Sequence, residues 1–485
     1  MPKLLLINPS NAHKGLGNVT GTAWPPLNLP YIAALTPQGY EIEAIDENIR
    51  PFEFRPADLV GITAYTASAP RAYEISAEYR TRGIPVVMGG IHASMVPEEA
   101  QEYCDSVVVG EAESVWPKVL ADFEAGRLKK RYDGERRSLD DLPIPRRDIL
   151  ENGYYSWGSI QTSRGCPMNC SFCSVTAFNG RTFRRRPLDS VMAELEGIPQ
   201  KRVLLADDNL IGFGPQDREW TRSFFEAVIR RGIRKTFFAQ ASLEFGEDPE
   251  LIRLAARAGL RIVFIGMESV QPESLAAFHK SVNLKELARA RYHELIARIR
   301  EGGIAVLGAF VLGCDTDEPA VFPRTLEFIL SSGIDVIQVT KPTPLPGTEL
   351  WKSLDREGRI LSKNFPADWT EYRFTKMLYE PERMTVDEVY EGFTWLRGEF
   401  YGAARTLART LSTLWTTKSP VAAVLAYKFN ASYRKAFLES EHYRRLWSPR
   451  LLRKFRRLRS ESLSDGPGPA PDLDEPVSAV PQSEA

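Results

Sequence analysis

"SRGCPMNCSFCS", residues 163–174, places three of the chain's five cysteines within eight positions, as Cys166-x3-Cys170-x2-Cys173. Thiolates are soft ligands that select zinc, copper(I) or iron–sulfur clusters. A structural zinc ion takes four protein ligands, and no fourth lies near. Cys104 and Cys314 belong to distant parts of the chain, and the nearest histidine in sequence is His92. Three thiolates on a four-iron cluster leave one iron without a protein ligand, whereas ordinary electron-transfer clusters are held by four cysteines. An open coordination position is the mark of a catalytic metal site. The motif predicts a cluster whose free iron is the point of the arrangement.

The sequence around the motif alternates apolar runs with helical patterns. Strands are predicted at 159–163, 202–206, 235–241, 261–266, 304–312 and 335–340, with helices between them, for example 187–196, 219–231 and 284–301. Six such units make an incomplete version of the eight-unit barrel, in which catalytic groups sit at strand ends. The motif follows the first of these strands directly. Upstream, 3–8, 41–46, 59–64, 85–90 and 106–111 are apolar nearly throughout, as strands covered on both faces are. With intervening helices such as 69–82 they predict a doubly wound parallel sheet, flavodoxin-like, whose ligand sits outside the carboxyl ends of the strands. The turns there, "TAYTAS", "GGIHAS" and "GEAES", are rich in small and polar residues.

Residues 127–155 gain charge and proline and lose apolar periodicity, and are predicted to be a linker. The resulting division is 1–126, 127–155, 156–364, a helical and aromatic-rich 365–460, and a tail at 461–485 with six acids, five prolines and no base, predicted to be disordered. At 485 residues the chain is too long for one ordinary core. A formal net charge of −1 gives no general nucleic-acid footprint, so no nucleic-acid partner is expected. The few cysteines do not form a disulfide framework. The start, "MPKLLLINPS", lacks a signal peptide's longer apolar region, and no run reaches the length of a spanning helix. A cytoplasmic protein is predicted.

The cysteine spacing, with Phe172 before the last cysteine, resembles the signature of the radical S-adenosylmethionine (radical SAM) superfamily. The resemblance implies a [4Fe-4S] cluster on Cys166, Cys170 and Cys173 whose open iron holds the amino and carboxylate groups of S-adenosylmethionine. Electron transfer then yields a hydrogen-abstracting 5′-deoxyadenosyl radical, the electron coming from an external donor of the flavodoxin or ferredoxin type. It further implies cosubstrate contacts at strand ends: Asp208 in "ADDN", Gln240 in "FAQAS", and Gly266 and Glu268 in "IGMES". Cys314 is expected to pack as a small apolar residue.

The first sheet, opening "WPPLNLPYIAAL" and continuing to "VVVGEAESVWPKVL", resembles the cobalamin-binding domain of one large radical SAM subfamily. Small residues at Thr63, Thr66, Ser68, Gly89 and Gly90 suit a planar macrocycle lying against the strand ends, with Gly110 and Glu111 on the next turn. Many cobalamin proteins carry an Asp-x-His-x-x-Gly loop whose histidine ligates cobalt. The equivalent stretch here, "DENIRP", has Asn48 in the histidine's place. His92 is the only imidazole nearby, and is expected at the ligand edge or the backbone rather than on cobalt. An empty flavodoxin-like scaffold is the alternative for this sheet.

Together the cofactors imply methylation of an unactivated carbon. Relatives that cyclise or rearrange a tetrapyrrole or lipid without methyl transfer leave that alternative open. Architecture and tail resemble the hopanoid-methylating, lipid-modifying branch, so a hydrophobic small-molecule substrate is expected. Residues 442–460 carry eight Arg/Lys and no acid, and Leu451, Phe455 and Leu458 share one helical face. They predict peripheral contact with an anionic membrane surface, with a solvated helical cap as the bland alternative. An RNA-modifying radical enzyme is disfavoured by the charge balance, and a non-enzymatic iron–sulfur sensor by the open coordination. Release of 5′-deoxyadenosine separates an enzyme from a sensor.

Overall fold

Leu4 and Leu6 pack into one apolar cluster, Leu5 and Ile7 into another, because successive side chains of a strand point to opposite faces. Both faces are covered, hence the unbroken apolar run. The computed structural model describes residues 1–11, 24–212, 214–288, 290–440 and 445–464. In it β1 (Lys3–Asn8), β2 (Glu41–Asp46), β3 (Leu59–Thr63), β4 (Val86–Gly89), β5 (Ser106–Val109) and β6 (Arg131–Asp133) form one sheet in the order β2-β1-β3-β4-β5-β6. Every pairing is parallel. The first five strands follow the flavodoxin-like order, with its switch point between β1 and β3. Strand β6 lies in the stretch predicted as a linker. Its exposed-buried-exposed pattern is that of an edge strand, with only Tyr132 inward, and three residues carry too little periodicity to announce themselves.

The second sheet comprises β7 (Gly158–Ile160), β10 (Arg202–Leu205), β11 (Thr236–Ala241), β12 (Leu260–Glu268), β13 (Ala305–Val311) and β14 (Val336–Thr340), all parallel, in the order β14-β13-β12-β11-β10-β7. Beside the cysteine motif β8 (Ser163–Arg164) and β9 (Arg184–Arg185) form a small antiparallel pair. The helix predicted at 284–301 is two, Ser281–Ala288 and Tyr292–Glu301, separated by Ala290 at φ 53°. The concave interior of the sheet, with Leu204, Phe238, Ile262 and Leu307, is filled by Ala422, Leu425, Ala426 and Phe429 of the helix Pro420–Glu439. Six strands leave a lateral gap that a complete barrel would close, and this helix fills the space.

Three elements of the C-terminal region fix how it packs. Residues 367–371 form a short 3-10 turn packed against the first domain, Trp369 donating its indole N–H to Glu99 at 2.9 Å. Helix Val386–Phe400 starts on a capping box between Thr385 and Glu388. Helix Pro449–Ser464 turns its apolar face inward: Leu451 and Phe455 are buried, and Phe455 stacks on Trp395 with ring centroids 5.1 Å apart. Lys454 pairs with Glu391 at 2.7 Å, and Arg459 with Glu327. The face of Leu451, Phe455 and Leu458, predicted to meet a membrane, is therefore spent on the protein's own core. This helix also enters the predicted disordered tail as far as Ser464; residues 465–485, like His442, lie outside the described residues. No helix among the described residues is long and apolar enough to cross a membrane.

The two domains meet at the carboxyl ends of their strands. Glu111, after β5, is paired with Arg184 of β9 and lies 3.5 Å from Arg164, which reaches Glu113 at 2.5 Å. Tyr155 donates to Asp46 at 2.8 Å. Removing one partner of a buried ion pair strands the other charge and costs about 3–5 kcal/mol. Glu111→Ala should accordingly lower the urea midpoint of the transition that separates the domains. An unchanged midpoint would contradict this account of the domain contact.

Candidate active site

Asp207 fixes the approach to the cysteine motif. Buried at the end of β10, it accepts from the backbone N–H groups of Thr162 and Ser163 at 2.6 and 2.7 Å and from the Thr162 hydroxyl at 2.7 Å. Its neighbour Asp208 accepts from the Gly165 N–H at 3.1 Å. The loop that follows carries Cys166, Cys170 and Cys173, all free thiols, to the rim of a cavity of about 490 Å³. Phe172, Asp208, Gln240, Gly266 and Glu268 line the same cavity. The structure thus brings together every residue that the sequence assigned to the cluster and its cosubstrate.

Glu268 is held there by an irregular strand end. The pairing of β12 with β13 shifts register between Gly266 and Glu268, and Glu268 has φ 61°. Such a bulge re-aims a side chain, and a non-glycine residue in this region persists only when its surroundings over-determine it. Asn283 supplies that support, donating to the carbonyls of Gly266 and Met267 at 2.9 and 3.0 Å. A Cβ on Gly266 would press on the Glu268 carboxylate and displace it from its present position. Glu268 accepts from Lys280 at 2.8 Å. Burial works against the Lys280 charge, but Glu268 and then Cys170 outweigh it and hold its pKa above that of a free lysine. Sequence reading missed Lys280 and Asn283. They lie on a helix and the turn before it, and no spacing links them to the strand end.

Burial raises the thiol pKa of Cys166 and carries that of Cys170 up to about 11, with Lys280 pulling both down. Half-buried thiols beside a cation suit conversion to thiolates on iron, and their binding of metal releases protons. Among the described residues no three of His, Cys, Asp and Glu gather closely enough to hold a single metal ion. The donor set is three thiols lining one cavity, the soft ligands that an iron–sulfur cluster takes.

A second cavity, of about 610 Å³, lies between the carboxyl ends of the first sheet and the edge of the second. Thr63, Gly89, Gly90, Gly110 and Glu111 line it, as do Asn48, Tyr65 and Trp24. Thr66, Ser68 and His92 do not. Ser68 turns back to accept from the Tyr65 N–H at 3.2 Å, closing its own turn. His92 is fully buried on the far side, 3.0 Å from the Tyr73 hydroxyl and edge-on to Trp369. The expectation that His92 meets the ligand edge is corrected: its place in "GGIHAS" puts it on the inward face of the short helix Ile91–Met95.

This cleft fits a large flat group. A Cβ on Gly90, at φ 94°, would fall 2.8 Å from Thr63 Oγ1, while Gly89 leaves its wall open. Tyr65 keeps 62% of its surface accessible inside the cleft. The Trp24 indole N–H is buried without a hydrogen-bond partner among the described residues, a donor that a ligand rich in oxygen acceptors satisfies. Trp24 and Leu204 line both cavities. Trp24 is wedged there by Trp157 and Phe238.

Two adjoining cavities, one with three thiols on a partial barrel and one on a flavodoxin-like sheet, define an iron–sulfur radical enzyme joined to a corrinoid domain. The comparisons agree. The B12 binding domain family matches residues 13–120 and the Radical SAM superfamily residues 160–329. The chain is 29% identical over 422 residues to bacteriochlorophyllide d C-12(1)-methyltransferase of Chlorobaculum tepidum, covering 84% of this chain and 89% of that one. It is 29% identical over 349 residues to hopanoid C-2 methylase of Rhodopseudomonas palustris (strain TIE-1), covering 70% and 65%. The solved structure of the cobalamin-dependent S-adenosylmethionine radical enzyme OxsB, with aqua-cobalamin and S-adenosylmethionine bound, shares the fold: TM-score 0.67, 15% identity, 95% of this chain and 75% of that one. The chain thus carries a B12 binding domain and a radical SAM domain and is similar to cobalamin-dependent radical SAM methyltransferases; the cofactors that these two domains take are a [4Fe-4S] cluster, S-adenosylmethionine and cobalamin.

Three outcomes follow from this geometry. Reconstituted protein should hold about four irons per chain; replacing Cys166, Cys170 and Cys173 together by alanine should abolish them, and Cys104→Ala or Cys314→Ala should not. His92→Ala should leave the cobalt(II) electron paramagnetic resonance spectrum of the bound corrinoid unchanged, because its ring faces away from the cleft; loss of nitrogen coupling would contradict that. Burial raises the Asp208 pKa from 3.8 to about 6. A raised carboxyl favours the folded state below its unfolded pKa and loses that favour as pH rises through the folded one. In cluster-free protein, Asp208→Asn should therefore flatten the fall in denaturation midpoint across that window.

Proposed function

We propose that this enzyme methylates an unactivated carbon of a hydrophobic small molecule, a lipid or a related compound. The observation that carries the reading is the shared wall: among the described residues, Trp24 and Leu204 line both cavities. Groups bound on either side of them act on one substrate without travelling. When bound, the cluster and S-adenosylmethionine supply a radical that removes hydrogen from carbon, and methylcobalamin supplies the methyl group. An external one-electron donor of the flavodoxin or ferredoxin type reduces the cluster.

The chain's own residues position and shield. The Glu268–Lys280 pair and Asp208 present charged groups at the strand ends beside the thiols, where the polar parts of a cosubstrate are to be oriented. Phe172, Phe238, Phe264, Phe374 and Phe429 make most of the remaining wall apolar, which excludes water from the reacting carbon and favours a hydrophobic substrate. The two relatives methylate a bacteriochlorophyllide and hopanoids, and support this choice.

The test is anaerobic incubation with S-adenosylmethionine carrying a deuterated methyl group, reductant, cobalamin, and lipid and pigment extracts from the source organism. A product of a hydrophobic fraction carrying the labelled methyl, together with 5′-deoxyadenosine, is expected. Release of 5′-deoxyadenosine with an altered but unlabelled product would overturn methyl transfer in favour of a cyclisation or rearrangement. Replacing Trp24 by alanine should lower labelled product by at least ten-fold while 5′-deoxyadenosine release persists.

A further inference from the structure

The helix Ala403–Thr417 sits in the protein the wrong way round for a solvated helix. Its polar residues face inward: Thr406, Thr413 and Thr417 are buried, and Thr413 donates to Asp335 at 2.6 Å. Arg300, paired with Asp335, also donates to Ser412 at 3.1 Å. The apolar residues face out. Leu407, Leu411, Leu414 and Trp415 recur at spacings of four, three and one, so they share a face, and they are 60%, 58%, 41% and 85% exposed. The next helix, Pro420–Glu439, continues the surface with exposed Val421, Val424 and Tyr427. Single exposed apolar residues are ordinary, but a contiguous patch of this kind marks an interaction site.

We propose that this hairpin docks on the surface of an anionic lipid bilayer. Charge complementarity favours lipid as the occupant. Across the hairpin, residues 403–439, the chain has six Arg/Lys against one acid, Glu439, which lies 4.0 Å from Lys435. Lys428, Arg434 and Lys435 are exposed on the same stripe as Val421 and Val424, and Lys418 is exposed at the hairpin tip. Apolar side chains enter the acyl boundary, tryptophan and tyrosine settle at the headgroup level, and flanking cations meet the anionic headgroups. The opposite side of helix Pro420–Glu439 carries Phe429 and Tyr433 into the wall of the thiol cavity. One helix therefore separates the bilayer from the reaction chamber by its own thickness. The docking stands on the hairpin alone, whichever reaction the cavity runs.

The test is co-sedimentation of the full chain with vesicles of phosphatidylcholine alone or mixed with phosphatidylglycerol. A triple variant, Leu407→Glu, Leu411→Glu and Trp415→Glu, changes only exposed positions, and its circular dichroism and urea midpoint report folding. The unaltered chain should pellet with the anionic vesicles, less so at high salt, and the variant's partition should fall at least ten-fold with folding intact. Charge reversal at Lys428 and Arg434 should weaken partition several-fold and provides a second reading if the triple variant misfolds. The proposal is overturned if the unaltered chain stays in the supernatant, or if both variants pellet as it does. It is also overturned if sedimentation velocity without lipid shows a dimer that the triple variant dissociates, since a second copy would then be what covers the patch.

Discussion

Two parallel sheets face each other through their carboxyl ends, and the ion cluster of Glu111, Glu113, Arg164 and Arg184 fixes that orientation. Strand ends are where open α/β sheets and barrels both hold ligands, so pointing them at each other sets one binding cleft against the other. Arg164 lies two residues before the first cysteine of the cluster motif, and Glu111 on the turn after β5. The contact that joins the domains is thus also the contact that registers the thiol loop against the corrinoid cleft. The charges are largely withdrawn from solvent, where a pair is costly to break by removing one member.

From that orientation the rest follows in order. Asp207 pins the backbone leading into the cysteine loop, a bulge at Gly266–Glu268 turns a carboxylate toward it, and Lys280 balances the negative charge that buried thiolates and Glu268 bring together. The barrel is left incomplete, and a helix from the C-terminal region fills its interior with alanine and leucine on one side. The outer face of that helix carries Val421, Val424 and Tyr427 beside exposed lysines. The same economy that finishes the core exposes a surface that water does not favour.

Much of this was legible in the sequence because it rests on local periodicity. The apolar runs of β1 to β5 and of the second sheet announced buried strands, and the three-thiol spacing announced an open cluster. Glu268, Gln240 and Asp208 could be placed at one cavity because the strand ends of a barrel converge. What could not be read depends on tertiary direction. His92 looked like a cleft residue until the short helix after β4 turned it inward. Thr66 and Ser68 were small and polar for the sake of their own turn. Leu451 and Phe455 have the spacing of an amphipathic face, and spacing does not say whether the face meets a core or a membrane. Lys280 and Asn283 are joined to the site only through space.

The central claim is that one chain holds the two redox centres beside each other across Trp24. Electron paramagnetic resonance relaxation of cobalt(II) in protein carrying both cofactors tests it directly, with the cluster first oxidised and then reduced. The account predicts that reducing the cluster to its paramagnetic state speeds cobalt(II) relaxation and broadens its signal. Identical cobalt(II) relaxation in the two states, with both cofactors at full occupancy, would contradict it.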